Sequence, residues 1–248
     1  MQNNSKLVIF RNSNIKIPNI FECKKLGAGH DGTVYQSGNE ALKILKYDIE
    51  KRRQQDLMTF TKACYFVDNL ELKRIAAPTD TLLDEEGVYV GYVMPYFHDV
   101  TKPHKKDEIP EKTIADFTCG DLFKSIEELQ QDIDELSVNR VRMEDLNRYS
   151  FIYANDFLRL CDTDKYSITK NNPKFYNDTQ LRFIIAKFLL YQVQGNEKSP
   201  DQIKKYAEWC KKNINDVNFF DKLRKEIYEL YDSTIGEYVD YKRKEINR

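Results

Sequence analysis

The spacing of apolar residues changes character about two fifths of the way along the chain. Up to about residue 97, short apolar runs alternate with turn-forming residues. Leu7-Val8-Ile9-Phe10 and the stretch Phe21 to Leu26 read as strands. Gln36-Ser37-Gly38-Asn39-Glu40 has the composition of a turn, and Ala41 to Lys46 reads as the strand that returns from it. Ile49 to about Leu72 contains neither glycine nor proline, and Phe60, Cys64 and Val67 recur at three-to-four spacing, which predicts a helix. Pro78 closes that region. Thr81-Leu82-Leu83 and Val88 to Met94 flank Asp84-Glu85-Glu86-Gly87, a hairpin pattern, and Pro95-Tyr96-Phe97-His98 interrupts it.

Thr101 to Lys112 is charged and carries prolines, as a surface linker or an inserted loop would. Beyond it the period becomes helical. Leu122, Ile126, Leu129, Ile133 and Leu136 fall on one face of a helix, and Phe183 to Val193 is apolar nearly all round, as a buried helix is. Ile203 to Cys210 and Phe219 to Tyr231 predict further helices. Between them, Phe151-Ile152-Tyr153 and Phe157 to Cys161 flank Ala154-Asn155-Asp156 as a short hairpin. Strands first and helices afterwards predict an α+β protein of two lobes, residues 1–97 and 98–248.

Composition narrows this picture without changing it. The chain has 248 residues, 41% of them hydrophobic and 12% aromatic, enough to bury a core. Its 39 basic and 40 acidic side chains leave a formal charge of −1, so nothing suggests a nucleic-acid or membrane-surface partner. Cys23, Cys64, Cys119, Cys161 and Cys210 are dispersed without metal-ligand spacing and are expected to be free thiols. The start, Met1 to Lys6, lacks a basic-then-apolar leader, and the apolar runs fall short of the ~20 residues that cross a bilayer. The expectation is a cytoplasmic protein.

Two clusters carry the candidate chemistry. In the first, Gly27, Gly29 and Gly32 form GxGxxG, followed by Thr33-Val34-Tyr35 and then Ala41-Leu42-Lys43. A dinucleotide-binding fingerprint would open a helix at its third glycine, whereas β-formers here continue a strand. A glycine-rich hairpin of this kind lays backbone over phosphates and places a lysine beneath them. In the second cluster, Asp145-Leu146-Asn147 precedes the short hairpin and Asp162-Thr163-Asp164 follows it. Phosphoryl transfer needs a carboxylate near the acceptor hydroxyl and oxygen ligands for Mg²⁺.

From about Leu26 to Gly195 the chain resembles the protein-kinase-like superfamily, in particular divergent bacterial serine/threonine kinase-like proteins whose metal motif ends in Asp-x-Asp. The resemblance implies a two-lobed protein-kinase-like fold, with an N-terminal antiparallel sheet plus one helix and a mainly helical C-terminal lobe. It implies ATP and Mg²⁺ as cofactors and a protein substrate or partner. By position, the backbone of Gly27, Ala28, Gly29 and Gly32 would cover the phosphates, and Val34 and Ala41 would roof the adenine. Lys43 would bind phosphate, Met94 would stand at the back of the pocket, and Pro95 and Phe97 would meet the adenine edge over a floor at Ile152. Asp145 would orient the acceptor hydroxyl. Asp162 would hold Mg²⁺, with Asn147, Asp164 or Ser150 supplying a further oxygen. Asp56, or Glu50, would pair with Lys43, and Asp178 would anchor the catalytic loop.

The chain departs from the family pattern at Met143-Glu144, where His-Arg is usual, and at Ser150, where a metal-binding asparagine is usual. The segment between Asp164 and Asp178 is too short for a long activation loop. These departures keep open a pseudokinase that serves as a binding scaffold. A small-molecule phosphotransferase of aminoglycoside or choline type is a second alternative. It calls for an acidic pocket in the second lobe and a histidine where Met143 stands.

Overall fold

The computed structural model describes residues 9–11, 16–17, 20–46, 60–103, 107–147, 150–194 and 200–246. They form two compact units: residues up to Glu71 together with Ala76–Tyr96, and Leu72–Ile75 together with Phe97–Arg248.

The first unit is built on an antiparallel sheet. Its strands are β1 (Ile9–Arg11), β2 (Lys16–Ile17), β3 (Lys24–Ala28), β4 (Gly32–Ser37), β5 (Glu40–Leu45), β6 (Asp80–Asp84) and β7 (Tyr89–Pro95). Residues 60–69 form a helix, α1, between β5 and β6. Among the described residues the strand order is β2-β1-β6-β7-β5-β4-β3. A two-residue turn at positive-φ Gly38 joins β4 to β5 and a four-residue turn with positive-φ Gly87 joins β6 to β7; a side chain at either glycine would be strained. Leu42, Leu82, Val90 and Val93 pack with Ile20, and Tyr35 and Ile44 close over them. Gly91 lies so close to β5 that a Cβ there would meet the Lys43 carbonyl oxygen at 2.0 Å, and one at Gly32 would meet that of Ile44 at 2.6 Å. The valine-rich run around Gly91 therefore needs its one missing side chain.

The second unit is mainly helical. It contains α2 (Cys119–Val138), β8 (Val141–Arg142), β9 (Phe151–Ala154), β10 (Phe157–Leu160), β11 (Ser167–Ile168), α3 (Lys174–Gln194), α4 (Pro200–Asn215), α5 (Phe219–Glu229) and α6 (Ile235–Ile246). β9 and β10 form the expected hairpin. The stripe Leu122, Ile126, Leu129, Ile133 and Leu136 is wholly removed from solvent. α3 starts nine residues before the apolar run that announced it, because its first turns are polar. The pairing of β8 with β11 and the last helix, α6, were not expected. Two-residue strands carry too little pattern to read, and α6 is broken up by charges.

Thr118 caps α2: its hydroxyl accepts the Asp121 amide at 3.0 Å, while the Asp121 carboxylate accepts the Thr118 amide at 2.9 Å. The next two amides have no partner inside the helix. Cys119 donates instead to the Ser233 carbonyl at 2.8 Å, and Gly120 to that of Tyr231 at 2.9 Å. The Tyr231 ring sits where a Cβ of Gly120 would be.

Two charged residues tie Leu72–Ile75 to this unit. Asp132, buried on α2, accepts the backbone amides of Lys73, Arg74 and Ile75 at 2.7–3.1 Å. Burial pushes its carboxyl above the usual range, against the pull of those three amides and Lys73. Arg74, with no exposed surface, donates to Glu128 at 2.7 Å, to Ser125 at 3.2 Å, and to the carbonyls of Asp156 and Leu158 at 3.0 Å. Replacing Asp132 with alanine strands three amides, so the expected loss is about 3 kcal/mol, read as a lower urea midpoint at unchanged slope.

Asp156 shows the opposite balance. Burial raises its pKa, but the Arg159 hydrogen bond and the charges of Arg74 and Arg159 outweigh it and hold the carboxyl below the ordinary range. Its contribution is present above that range and is lost as pH falls through the lowered pKa. An acid titration of stability is therefore expected to show a limb that Asp156→Asn lacks.

Candidate functional site

Within the sheet, strand register decides which side chains meet. Val34 stands opposite Lys43, Lys43 opposite Tyr92, and Ala41 opposite Met94. Directly paired residues, and residues two apart on one strand, project from the same face. Val34, Ala41, Lys43 and Met94 therefore share one face, while Tyr35, Leu42, Ile44 and Val93 build the core on the other. Lys43 lies on β5, between β4 and β7, and is buried at 8% exposure. A solvent-facing edge lysine would look different on both counts.

The glycine run forms the tip of the β3–β4 hairpin. Ala28 pairs with Thr33, and the Gly29 amide donates to the Gly32 carbonyl at 2.9 Å. Lys46, beyond the end of β5, pins this tip: its ammonium donates to the Gly29 carbonyl and its amide to the Asp31 carbonyl, both at 2.9 Å. A Cβ at Gly27 or Gly29 would meet nothing within 4 Å, so the fold itself does not require these two glycines, unlike Gly32. Pro95 ends β7 opposite Glu40. Asp56 and Glu50 lie outside the described residues.

The second cluster lies in the helical unit. Asp145, Asn147 and Ser150 share the loop between β8 and β9. Ser150 is buried, its hydroxyl accepts the Asn147 amide at 3.2 Å, and the Asn147 side chain donates to the Asp145 carbonyl at 3.1 Å. The Cys161 amide donates to the Ser150 carbonyl at 2.8 Å, which ties the residue before Asp162 to this loop. Asp145 and Asp162 are both exposed, with φ of 59° and 70°. Left-handed backbone at a non-glycine residue is uncommon and costs about 1–3 kcal/mol where it is strained. Asp164 is half-buried, and Ile152 pairs with Arg159 across the β9–β10 hairpin. Phe97 lies under the Arg159 guanidinium, 4.4 Å from ring centre to charge.

The expectation for Asp178 is corrected. Its carboxylate accepts from Gln130 at 3.1 Å and lies 3.5 Å from the Lys174 ammonium, and among the described residues it makes no hydrogen bond to the loop. The neighbouring Asn177, with no exposure, does so. Its carbonyl oxygen accepts the Met143 amide at 2.9 Å, and its amide group donates to the Val141 carbonyl at 2.9 Å and the Ser137 hydroxyl at 3.0 Å. A turn of helix separates successive residues by about 100°, so a one-residue slip changes which side chain points inward. The Met143 amide and the Val141 carbonyl ask for an acceptor and a donor together, which an amide supplies and a carboxylate does not. Asn177→Asp is thus expected to cost about 2 kcal/mol at neutral pH. Its buried carboxyl would have a raised pKa, so the deficit should shrink on acidification, as urea midpoints at pH 7 and pH 4 would show.

Among the described residues no three His, Cys, Asp or Glu side chains cluster as a metal cage. No described helix is long and apolar enough to cross a membrane.

No family model and no curated protein sequence matches the chain. Likeness appears instead among solved structures, where 1272 chains match and so mark a much-used fold. One belongs to the CAK complex from Chaetomium thermophilum bound to ATP-gamma-S, and superposes with a TM-score of 0.50 over 79% of this chain and 67% of that one. At 12% identity such a likeness speaks to the fold and not to the chemistry. An antiparallel sheet lobe followed by a mainly helical one, in this order of elements, is a two-lobed protein-kinase-like fold.

Proposed function

We propose that the chain is an ATP- and Mg²⁺-dependent phosphotransferase that moves the γ-phosphoryl group to a hydroxyl, with a protein serine or threonine as acceptor. The observation that carries the reading is the shared sheet face of Val34, Ala41, Lys43 and Met94, which combines small and apolar surface for a base with one buried ammonium for phosphate. The glycine tip supports it, because Gly27 and Gly29 leave backbone accessible without serving the fold. The two exposed, left-handed aspartates support it from the other unit.

In this reading the glycine tip covers the phosphates and Lys43 binds them. Ala41 and Val34 pack on the base, Pro95 and Phe97 meet its edge, and Ile152 lies beneath it. Asp145 orients the acceptor hydroxyl and receives its proton as the oxygen–phosphorus bond forms and the bond to the β-phosphate breaks. Mg²⁺ needs one or two carboxylates when phosphates and waters supply the rest. Asp162 would hold it. Asp164 and the side-chain oxygen of Asn147 are better second donors than Ser150, whose buried hydroxyl already accepts an amide.

The commitment of Ser150 favours a second reading, a scaffold that binds nucleotide weakly or not at all. Thermal melting separates the two. Under the phosphotransferase reading, Mg·ATP raises the melting temperature and EDTA abolishes the rise; a scaffold shows no shift. Incubation with labelled ATP and Mg²⁺ is expected to give phosphate transfer or ATP turnover, reduced at least about a hundredfold by Lys43→Ala or Asp162→Ala. Turnover equal in all three proteins would overturn the assignment.

A further inference from the structure

Besides the proposed nucleotide residues, the helical unit carries an open cavity of about 670 Å³. Its wall is one face of α3, where Phe183, Ile184, Lys187, Phe188 and Tyr191 follow one another at helical spacing. Opposite stand Phe151 and Tyr153 of β9, and Leu146 and Asn147 of the loop close one end. The interior is aromatic: Phe151 lies 5.8 Å from Phe188 and 6.4 Å from Tyr153, ring centre to ring centre. Burial pushes the Tyr153 phenol well above its ordinary pKa, so it stays neutral. A volume of this size, mostly apolar with a few polar groups, suits a small organic ligand.

Charge narrows the ligand. Among the described residues no carboxylate lines the cavity, and the one charged group is the Lys187 ammonium, 4.5 Å from the Phe183 ring centre. No described carboxylate pairs with that ammonium. A cationic ligand would meet repulsion here. A flat aromatic acid would place its ring among Phe151, Tyr153 and Phe188 and its anion at Lys187, with the Gln192 side chain at the rim. We infer that this cavity is a binding site for a planar aromatic ligand bearing a carboxylate or sulfonate. The site does not depend on phosphotransfer.

The test uses the whole chain and two fluorescent probes of matched shape, 1-anilinonaphthalene-8-sulfonate and the uncharged N-phenyl-1-naphthylamine. Both are expected to bind saturably at one site. Lys187→Met should weaken the sulfonate at least about fivefold, the equivalent of about 1 kcal/mol, and leave the neutral probe unchanged. Tyr191→Ala, at a half-exposed position, should weaken both. 1-Naphthoate should displace the sulfonate, and the cationic 1-naphthylmethylammonium should not. Far-ultraviolet dichroism and the urea midpoint of each variant identify any that fail to fold. In folded variants, sulfonate binding indifferent to both substitutions, loss of both probes alike in Lys187→Met, or no saturable binding would each overturn the inference. Binding without ATP turnover would leave it standing while the phosphotransferase reading failed.

Discussion

A buried carboxylate that holds three consecutive backbone amides is the constraint on which the helical unit is organised. Without Asp132, the stretch Lys73-Arg74-Ile75 would carry three amides with no partner, each worth on the order of a lost hydrogen bond. With that stretch fixed, the Arg74 side chain reaches Ser125 and Glu128 on α2 and the carbonyls that flank the β9–β10 turn. One short piece of backbone thus sets the distance between α2 and the hairpin that precedes Asp162. It also explains why Leu72–Ile75, although it lies in sequence between α1 and β6, belongs with the helices.

Much of this was legible before any coordinates. The stripe from Leu122 to Leu136 was readable because every member is apolar and falls on a helical period, and all five are buried. The β4–β5 and β6–β7 hairpins were readable because glycine marks their turns. Asp132 and Ser125 were not read, although the signal was present. They stand seven residues apart on the flank of that stripe, where polar residues are out of place unless something buried needs them. Arg74 was missed for a related reason: a long basic side chain beside Ile75-Ala76-Ala77 reads as a solvated terminus until its carbonyl partners are known.

The candidate site divides along the same line. Residues set by strand register, Val34, Ala41, Lys43 and Met94, follow from alternation alone, and a shared face was implicit in the sequence. The loop anchor depends on helical phase, and there an aspartate beside an asparagine gave the wrong member of the pair. An amide serves an anchor that must give and take hydrogen bonds at once. The anchor itself carries no charge, so its hold on the Met143 amide and the Val141 carbonyl does not depend on ionisation. The aromatic cavity between α3 and β9 has no counterpart in any motif, because its residues come from segments thirty apart and none is chemically distinctive by itself.

The way α2 begins has a consequence for how the molecule is made. Its first free amides are met by carbonyls of Tyr231 and Ser233, more than a hundred positions further along. On a ribosome, α2 emerges long before those carbonyls exist, and it must wait with its leading end hydrated. Completion of the helical unit is therefore postponed until nearly all of the chain described here has been translated, which lengthens the window in which a nascent-chain chaperone would find apolar surface to hold.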